Sequence, residues 1–112
     1  MNFIAFVEEN YQELCKLVVG KTHQAFGLLC TRIQDYPLNS VDLSQNCRAY
    51  LQKNLEINSK TNLSKIFREL KDKDLLRPIP SEPGLYMLNP NYVFRGKIKD
   101  YESFVDEWNQ LV

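Results

Sequence analysis

The chain has 112 residues, enough for one hydrophobic core and too few for two, and its 44% hydrophobic and 25% charged residues exclude a disordered chain. Its 14 basic and 14 acidic side chains give a formal net charge of zero, which excludes a protein that is basic over its whole surface. No apolar run has the length of a membrane span and no secretory signal is recognisable, so we expect a cytoplasmic protein without membrane contact.

The charges are distributed unevenly along the chain. Residues 1–57 carry five basic and six acidic groups, residues 58–99 carry nine basic and four acidic, and residues 100–112 carry four acidic and none basic. Chance fluctuation is one explanation of this pattern. The other is that the middle segment meets a negatively charged partner while the flanking segments face elsewhere.

The first third of the chain predicts two helices. Apolar residues recur at helical spacing over residues 3–19, with Asn2 as a cap and Gly20 as a stop. A second apolar stripe runs over residues 22–34 and is closed by the Asp-Tyr-Pro sequence that follows.

Two further helices follow a short extended or turning link. The third helix is predicted after a cap at Ser44 or Asp42, and the fourth helix after a cap at Ser59. In the fourth helix, apolar residues fall at i, i+3, i+4 and i+7, so one face is predicted to enter the core. These core-facing residues are Leu63, Ile66, Phe67 and Leu70.

The polar face of the fourth helix carries residue types that contact DNA. A short helix, a turn and a capped helix form the layout of a helix-turn-helix, in which the second helix enters the major groove. Asn62 can form a bidentate pair with adenine, and Lys60 and Lys65 can reach guanine or phosphate. The solvated face of an ordinary amphipathic helix is the alternative. The candidate DNA-binding residues on this face are Ser59, Lys60, Thr61, Asn62, Ser64, Lys65 and Arg68.

A β-hairpin is predicted directly after this helix. "DLLRPI" has the pattern of one strand, Pro83-Gly84 marks the turn, and "LYMLN" alternates as the returning strand. Such a hairpin after a recognition helix is the wing of a winged helix, and Arg77 near its base is a further DNA-binding candidate. A hairpin that completes a small sheet without touching DNA is the alternative.

These segments resemble known DNA-binding proteins over roughly Thr22 to Lys97. "SKTNLSKIFRELKDKDLLRPI" is similar to the recognition helix and first wing strand of winged helix-turn-helix regulators and replication proteins. "GLYMLNPNYVFRGK" resembles the wing and closing segment of RepL-type plasmid replication proteins of Gram-positive bacteria. Asp74 departs from the pattern, since many winged helices have a glycine there. The resemblance implies a mainly α fold with a small β-hairpin wing, a winged helix-turn-helix with extra N- and C-terminal helices.

The segment after the hairpin combines a turn with a basic cluster. Asn89 is predicted to cap a turn begun by Pro90, and the apolar residues 92–94 to return the chain to the helical core. Three cations then surround Gly96, which we expect to be flexible. They are candidate phosphate contacts or, alternatively, an exposed linker made soluble by charge. These cations are Arg95, Lys97 and Lys99.

The chain is predicted to end in an acidic amphipathic helix within a single domain. Residues 1–20 form the N-terminal helix, residues 22–99 the winged-helix core and residues 100–112 the last helix. The last helix is expected to pack against the first helix or against a second subunit. A homodimer and a monomer fit the sequence equally well.

Enzymatic interpretations are weak. His23 has no carboxylate at helical spacing, the three cysteines are widely spaced, and the four glycines form no phosphate loop. We therefore expect no enzyme, no catalytic residue and no metal or other cofactor.

The expected function is binding of double-stranded DNA. The resemblance implies replication or maintenance of a bacterial plasmid or mobile element, by binding an origin and recruiting host replication proteins. A small transcriptional regulator is the alternative within the same class. A winged-helix protein-interaction module is the alternative of another class, because the net charge is zero.

Overall fold

The computed structural model describes residues 3–34, 38–57 and 60–111. Within these ranges the chain combines five α-helices with two small antiparallel sheets. In chain order the elements are β1 (Phe3–Phe6), α1 (Glu8–Leu17), α2 (Gly20–Cys30), β2 (Ser40–Asp42), α3 (Gln45–Asn54), α4 (Lys60–Asp72), β3 (Leu76–Pro78), β4 (Leu85–Leu88), β5 (Val93–Gly96), a 3-10 turn (Ile98–Asp100) and α5 (Tyr101–Gln110).

The predicted first helix is wrong at its start. Phe3–Phe6 forms β1, which runs antiparallel to β5 with Phe3 opposite Gly96 and Phe6 opposite Val93. Aromatic and β-branched residues favour a strand here, and the partner strand lies about 90 residues further along the chain, beyond the reach of local periodicity. The proposed Asn2 cap lies outside the described residues.

The other predicted helices are present with shifted ends. Gly20, the predicted stop of the first helix, is instead the first residue of α2, and α2 ends at Cys30 rather than near Gln34. The predicted closing sequence at residues 35–37 lies outside the described residues. Ser44 occupies the N-cap position of α3, although its side chain makes no capping hydrogen bond. The predicted Ser59 cap also lies outside the described residues.

The predicted hairpin is confirmed and gains a third strand. Leu76 of β3 lies opposite Leu88 of β4, and Pro78 lies opposite Tyr86. The link before α3 forms β2, which pairs with the other edge of β4 and places Ser40 opposite Met87. The strand order is therefore β2-β4-β3, with α3 and α4 connecting β2 to β3.

The core lies between the helices and this sheet. The predicted inward stripe of α4 is confirmed, since each of its four apolar side chains is buried. Complete burial of side chains of this size is worth roughly 1.5–3 kcal/mol each. The largest fully buried side chains of other elements are Trp108 of α5 and Phe26 of α2.

Asn39 joins the two sheets. It is fully buried, and its amide Nδ2 donates to the carbonyl of Leu88 at 2.9 Å and to that of Val93 at 3.1 Å. Its Oδ1 accepts from the N–H of Arg95 at 3.0 Å. Because Leu88 ends β4 while Val93 begins β5, one side chain satisfies backbone groups of both sheets.

The predicted turn at Asn89 is confirmed. Its Oδ1 accepts from the N–H of Asn91 at 2.9 Å, and its Nδ2 donates to the carbonyl of Asp74 at 2.9 Å. Asp74 has a φ of 58°, the left-handed conformation that a glycine adopts without strain and that Asp tolerates better than most residues. The turn after α4 is therefore made without glycine.

The last helix packs on β5 and β3. The rings of Phe104 and Phe94 lie 5.4 Å apart, and Trp108 stacks beneath Arg77. A Cβ at Gly96 would lie 2.7 Å from the ring of Phe104. The prediction of a flexible Gly96 is therefore wrong, because this glycine is a strand residue under an aromatic ring.

Candidate nucleic-acid interface

The predicted contact residues of α4 lie on its exposed side. Thr61, Asn62, Ser64, Lys65 and Arg68 are all exposed. Thr61, Lys65 and Arg68 are spaced i, i+4 and i+7, so they form a single stripe opposite the buried face. We call these three residues the outward stripe of α4. Ser59 lies outside the described residues, and Lys60 is the first residue of the helix.

Side chains from α2 and from the sheet hold α4 in place. The hydroxyl of Thr22 in α2 donates to Glu69 Oε2 at 3.0 Å. On the other flank, the Lys71 ammonium lies 4.8 Å from the ring centroid of Tyr86 in β4. Together with the buried apolar face, these contacts favour one rotation of α4 about its axis, with the outward stripe directed at solvent.

The helix before α4 contributes polar residues next to α4. The guanidinium of Arg48 in α3 lies 5.0 Å from the ring centroid of Phe67, and Arg48 Nε donates to the carbonyl of Leu43 at 3.3 Å. Gln45, Arg48 and Gln52 line a shallow groove next to α4. The sequence predicts the third helix and its cap but gives no local pattern that marks this surface.

The positive charge lies along α4 and is absent from the hairpin loop. Residues 60–73 carry five basic and two acidic groups, whereas residues 79–84 carry Glu82 and no basic group. A polyanion is therefore attracted to the helix more strongly than to the tip of the hairpin.

Arg77 is engaged within the protein. Its Nε and Nη2 donate to the two carboxylate oxygens of Asp74 at 2.9 and 2.8 Å. Its Nη1 donates to the carbonyls of Trp108 and Leu111 at 2.8 and 3.0 Å, and its guanidinium lies 4.2 Å from the Trp108 ring centroid. The structure thus places this predicted contact residue at the junction of β3 with α5.

The remaining predicted cations lie at the end of β5 and directly after it. Arg95 donates from its guanidinium to the carbonyl of Ile33, and its backbone is bonded to Asn39. Lys97 and Lys99 are exposed beyond it. Asn39 bonds to Leu88, and Leu88 lies opposite Leu76 at the start of β3, the strand that follows α4. The hydrogen bonds of Arg95 are therefore made with the residues after α2 and with the junction of the two sheets.

The thiols and the histidine do not converge on a second site. Burial raises the pKa of Cys30 to about 12, and burial is also the main cause of the raised pKa of Cys47. Both thiols are therefore protonated and unreactive near neutral pH. Within the described ranges, no three His, Cys, Asp or Glu residues lie close enough together to hold a metal ion. No described helix is both long and apolar enough to cross a membrane.

Comparison with protein-family models, with curated proteins and with solved structures gave no match.

Proposed function

We propose that this chain is a winged-helix protein that binds double-stranded DNA with α4 in the major groove. The observation that carries the proposal is the order of elements. Two helices separate β2 from β3, the strands are ordered β2-β4-β3, and the second helix exposes a polar, basic face. This order of elements supports a helix-turn-helix followed by a wing.

Each group on this face has a role in such a complex. Asn62 is suited to adenine, and Lys65 and Arg68 are suited to guanine or to phosphate. Arg48 and Gln52 of α3 line a groove with Leu63 of α4, and the first helix of a helix-turn-helix crosses the DNA backbone, so we assign them further phosphate contacts. Arg77 is left out of this interface because its donors are bonded to Asp74 and α5.

The biological role proposed for this binding is replication or maintenance of a plasmid or mobile element. Its support is the resemblance of "YMLNPNYVFRG" to RepL-type proteins, and the role requires binding at an origin and recruitment of host replication proteins. A transcriptional regulator would use the same α4 surface at a promoter, so the position of the bound site separates the two roles.

A protein-interaction module is the second candidate function. The observation that favours it is the hairpin loop, which carries Glu82 and no basic residue, together with a formal net charge of zero. Such a loop gains little from DNA phosphates, whereas protein partners tolerate it.

The test is a fluorescence-anisotropy titration of the full chain against duplexes from around its own gene and an unrelated duplex, at several salt concentrations. We expect one native duplex to bind more tightly. The double variant Lys65→Ala/Arg68→Ala should weaken binding. The negative slope of log K against log salt should become shallower by about 0.9 for each phosphate that the variant no longer neutralises.

The matched control is Lys16→Ala, an exposed lysine of α1 whose ammonium lies 3.9 Å from Glu13. It removes a positive charge far along the chain from α4 and should leave the salt slope unchanged. Absence of binding to any duplex at low salt, with the protein folded by circular dichroism, would reject DNA binding and favour the protein-interaction module.

A further inference from the structure

The outer edge of β1 has backbone groups without partners among the described residues. The N–H of Val7 donates to the carbonyl of Tyr92 at 2.8 Å, so Val7 and, two residues earlier, Ala5 direct their backbone groups toward β5. Ile4 and Phe6 therefore direct theirs away from β5. No hydrogen bond from the described parts of the chain reaches these groups.

The opposite edge of this sheet is closed. Asn39 donates to the carbonyl of Val93 and accepts from the N–H of Arg95, as a neighbouring strand would. The two-stranded sheet can therefore be extended by another strand only at β1.

Apolar side chains accompany this open edge. Ile4 is 39% exposed, Phe6 45% and Tyr11 44%, and the rings of Phe6 and Tyr11 are 5.7 Å apart. Natural edge strands are usually protected by lysine, proline or a bulge, and β1 contains neither residue type and pairs with β5 in continuous register. An unprotected apolar edge of this kind marks a pairing surface.

We infer that β1 pairs antiparallel with β1 of a second copy of this chain, about a two-fold axis at Ala5. In this register Ile4 of each copy lies opposite Phe6 of the other, and these are the two residues whose N–H and C=O groups point outward. Each such pair can exchange both hydrogen bonds. The strand is thus complementary to itself, as a two-fold interface requires, and the small side chain of Ala5 lies at its centre.

The charges around the edge also fit a second copy. α1 begins directly after β1 with Glu8 and Glu9, and Lys97 follows Gly96, the residue that pairs with Phe3 at the other end of β1. Antiparallel pairing of two β1 strands brings Glu8 and Glu9 of each copy toward Lys97 of the other copy, so the contact occurs at both ends of the paired strands. Opposite charges meeting in this way favour the second copy over an unrelated apolar segment.

The inference is tested by sedimentation velocity on the full chain without DNA, from low micromolar to near-millimolar concentration. We expect a monomer–dimer equilibrium that Phe6→Lys weakens by roughly tenfold or more. Val19→Lys is the matched control, because Val19 is 69% exposed and lies between α1 and α2 rather than on β1. It should leave the equilibrium unchanged.

Two further measurements address the backbone pairing itself. Ile4→Pro removes only an outward N–H and leaves the bonds between β1 and β5 in place, so it should also weaken the dimer. In the unmodified chain, hydrogen exchange at the Ile4 and Phe6 amides should slow as the dimer forms. Exchange that does not change with concentration, a monomer at every concentration, or a dimer that survives both Phe6→Lys and Ile4→Pro would each overturn the inference. None of these outcomes bears on DNA binding by α4.

Discussion

Arg68 and Arg77 carry the same guanidinium group in two regions that differ in exposure and in hydrogen bonding. Arg68 lies exposed on the outward stripe of α4, whereas every nitrogen of the Arg77 guanidinium donates to Asp74 or to carbonyls of α5. Arg77 belongs to a region that we call the hairpin base (Asn39, Asp74, Arg77, Asn89 and Gly96). The difference teaches that a basic residue near a hairpin does not by itself mark a ligand contact, since the surrounding acceptors decide whether its donors remain available for a ligand. Substitutions in the hairpin base should therefore change stability, and substitutions on the stripe should change binding.

The largest expected effect is that of Asn39→Gly. Glycine accepts the φ of 55° at this position, so the variant removes the side-chain hydrogen bonds without adding backbone strain. Three backbone groups, the carbonyls of Leu88 and Val93 and the N–H of Arg95, then lose the side chain as hydrogen-bond partner. We expect the free energy of unfolding to fall by about 3 kcal/mol. Urea denaturation followed by circular dichroism measures it.

The control for this variant is Asn54→Ala, because the Asn54 side chain bonds to Tyr50 at an exposed position. Its cost should stay within about 0.5 kcal/mol. If the two asparagine variants cost the same, the junction between the sheets is not held by Asn39.

The next effect is that of Gly96→Ala, with an expected decrease of about 2 kcal/mol in the free energy of unfolding. The added methyl group would approach the Phe104 ring to 2.7 Å, and the φ of 152° strains any side chain. Gly27→Ala is the matched control, since Gly27 lies within α2 with nothing within 4 Å of an added Cβ. That variant should be stabilising by up to about 1 kcal/mol. Thermal denaturation measures both variants. A lower melting temperature for Gly96→Ala with a higher one for Gly27→Ala supports a tightly packed Gly96, and changes in the same direction contradict it.

The local parts of the fold were predictable from the sequence. The apolar spacing within α4 and the Pro-Gly turn of the hairpin are short-range patterns, and both are present. The strand pairing of Phe3–Phe6 was missed because its partner lies near residue 95 and the same residues also fit a helical stripe. The role of Asn39 was missed for the same reason, since its bonds reach residues 88, 93 and 95.

The candidate site was predictable only where one helix forms it. The exposed positions of α4 follow from helical periodicity, so the polar residues from Thr61 to Arg68 were recognised. Periodicity does not indicate which cationic side chains form hydrogen bonds within the protein. Arg77 meets α5 about 30 residues later in the chain, and Arg95 meets Ile33, so neither contact has a local sequence pattern.

Arg77→Lys tests the hairpin base with charge conserved. Lysine cannot reproduce the two parallel bonds to Asp74 together with the bonds to Trp108 and Leu111. We expect a decrease of about 1–2 kcal/mol in the free energy of unfolding and unchanged DNA affinity in anisotropy titrations below the melting transition. A weakened, less salt-dependent complex with unchanged stability would move Arg77 back to the interface.

The smallest expected effect is that of the double variant Lys97→Ala/Lys99→Ala. Both lysines are exposed and lie with Arg95 near the hairpin base, so their removal should change the free energy of unfolding by less than about 0.5 kcal/mol. This variant removes two positive charges, as Lys65→Ala/Arg68→Ala does, so it is the charge-matched control for the outward stripe. If position along the fold decides which cations meet DNA, this pair leaves the salt slope unchanged while Lys65→Ala/Arg68→Ala lowers it. If the salt slope became shallower by about 0.9 per removed charge in both double variants, the DNA phosphates would contact Lys97 and Lys99 as well as the outward stripe. The two regions would then not differ in DNA binding.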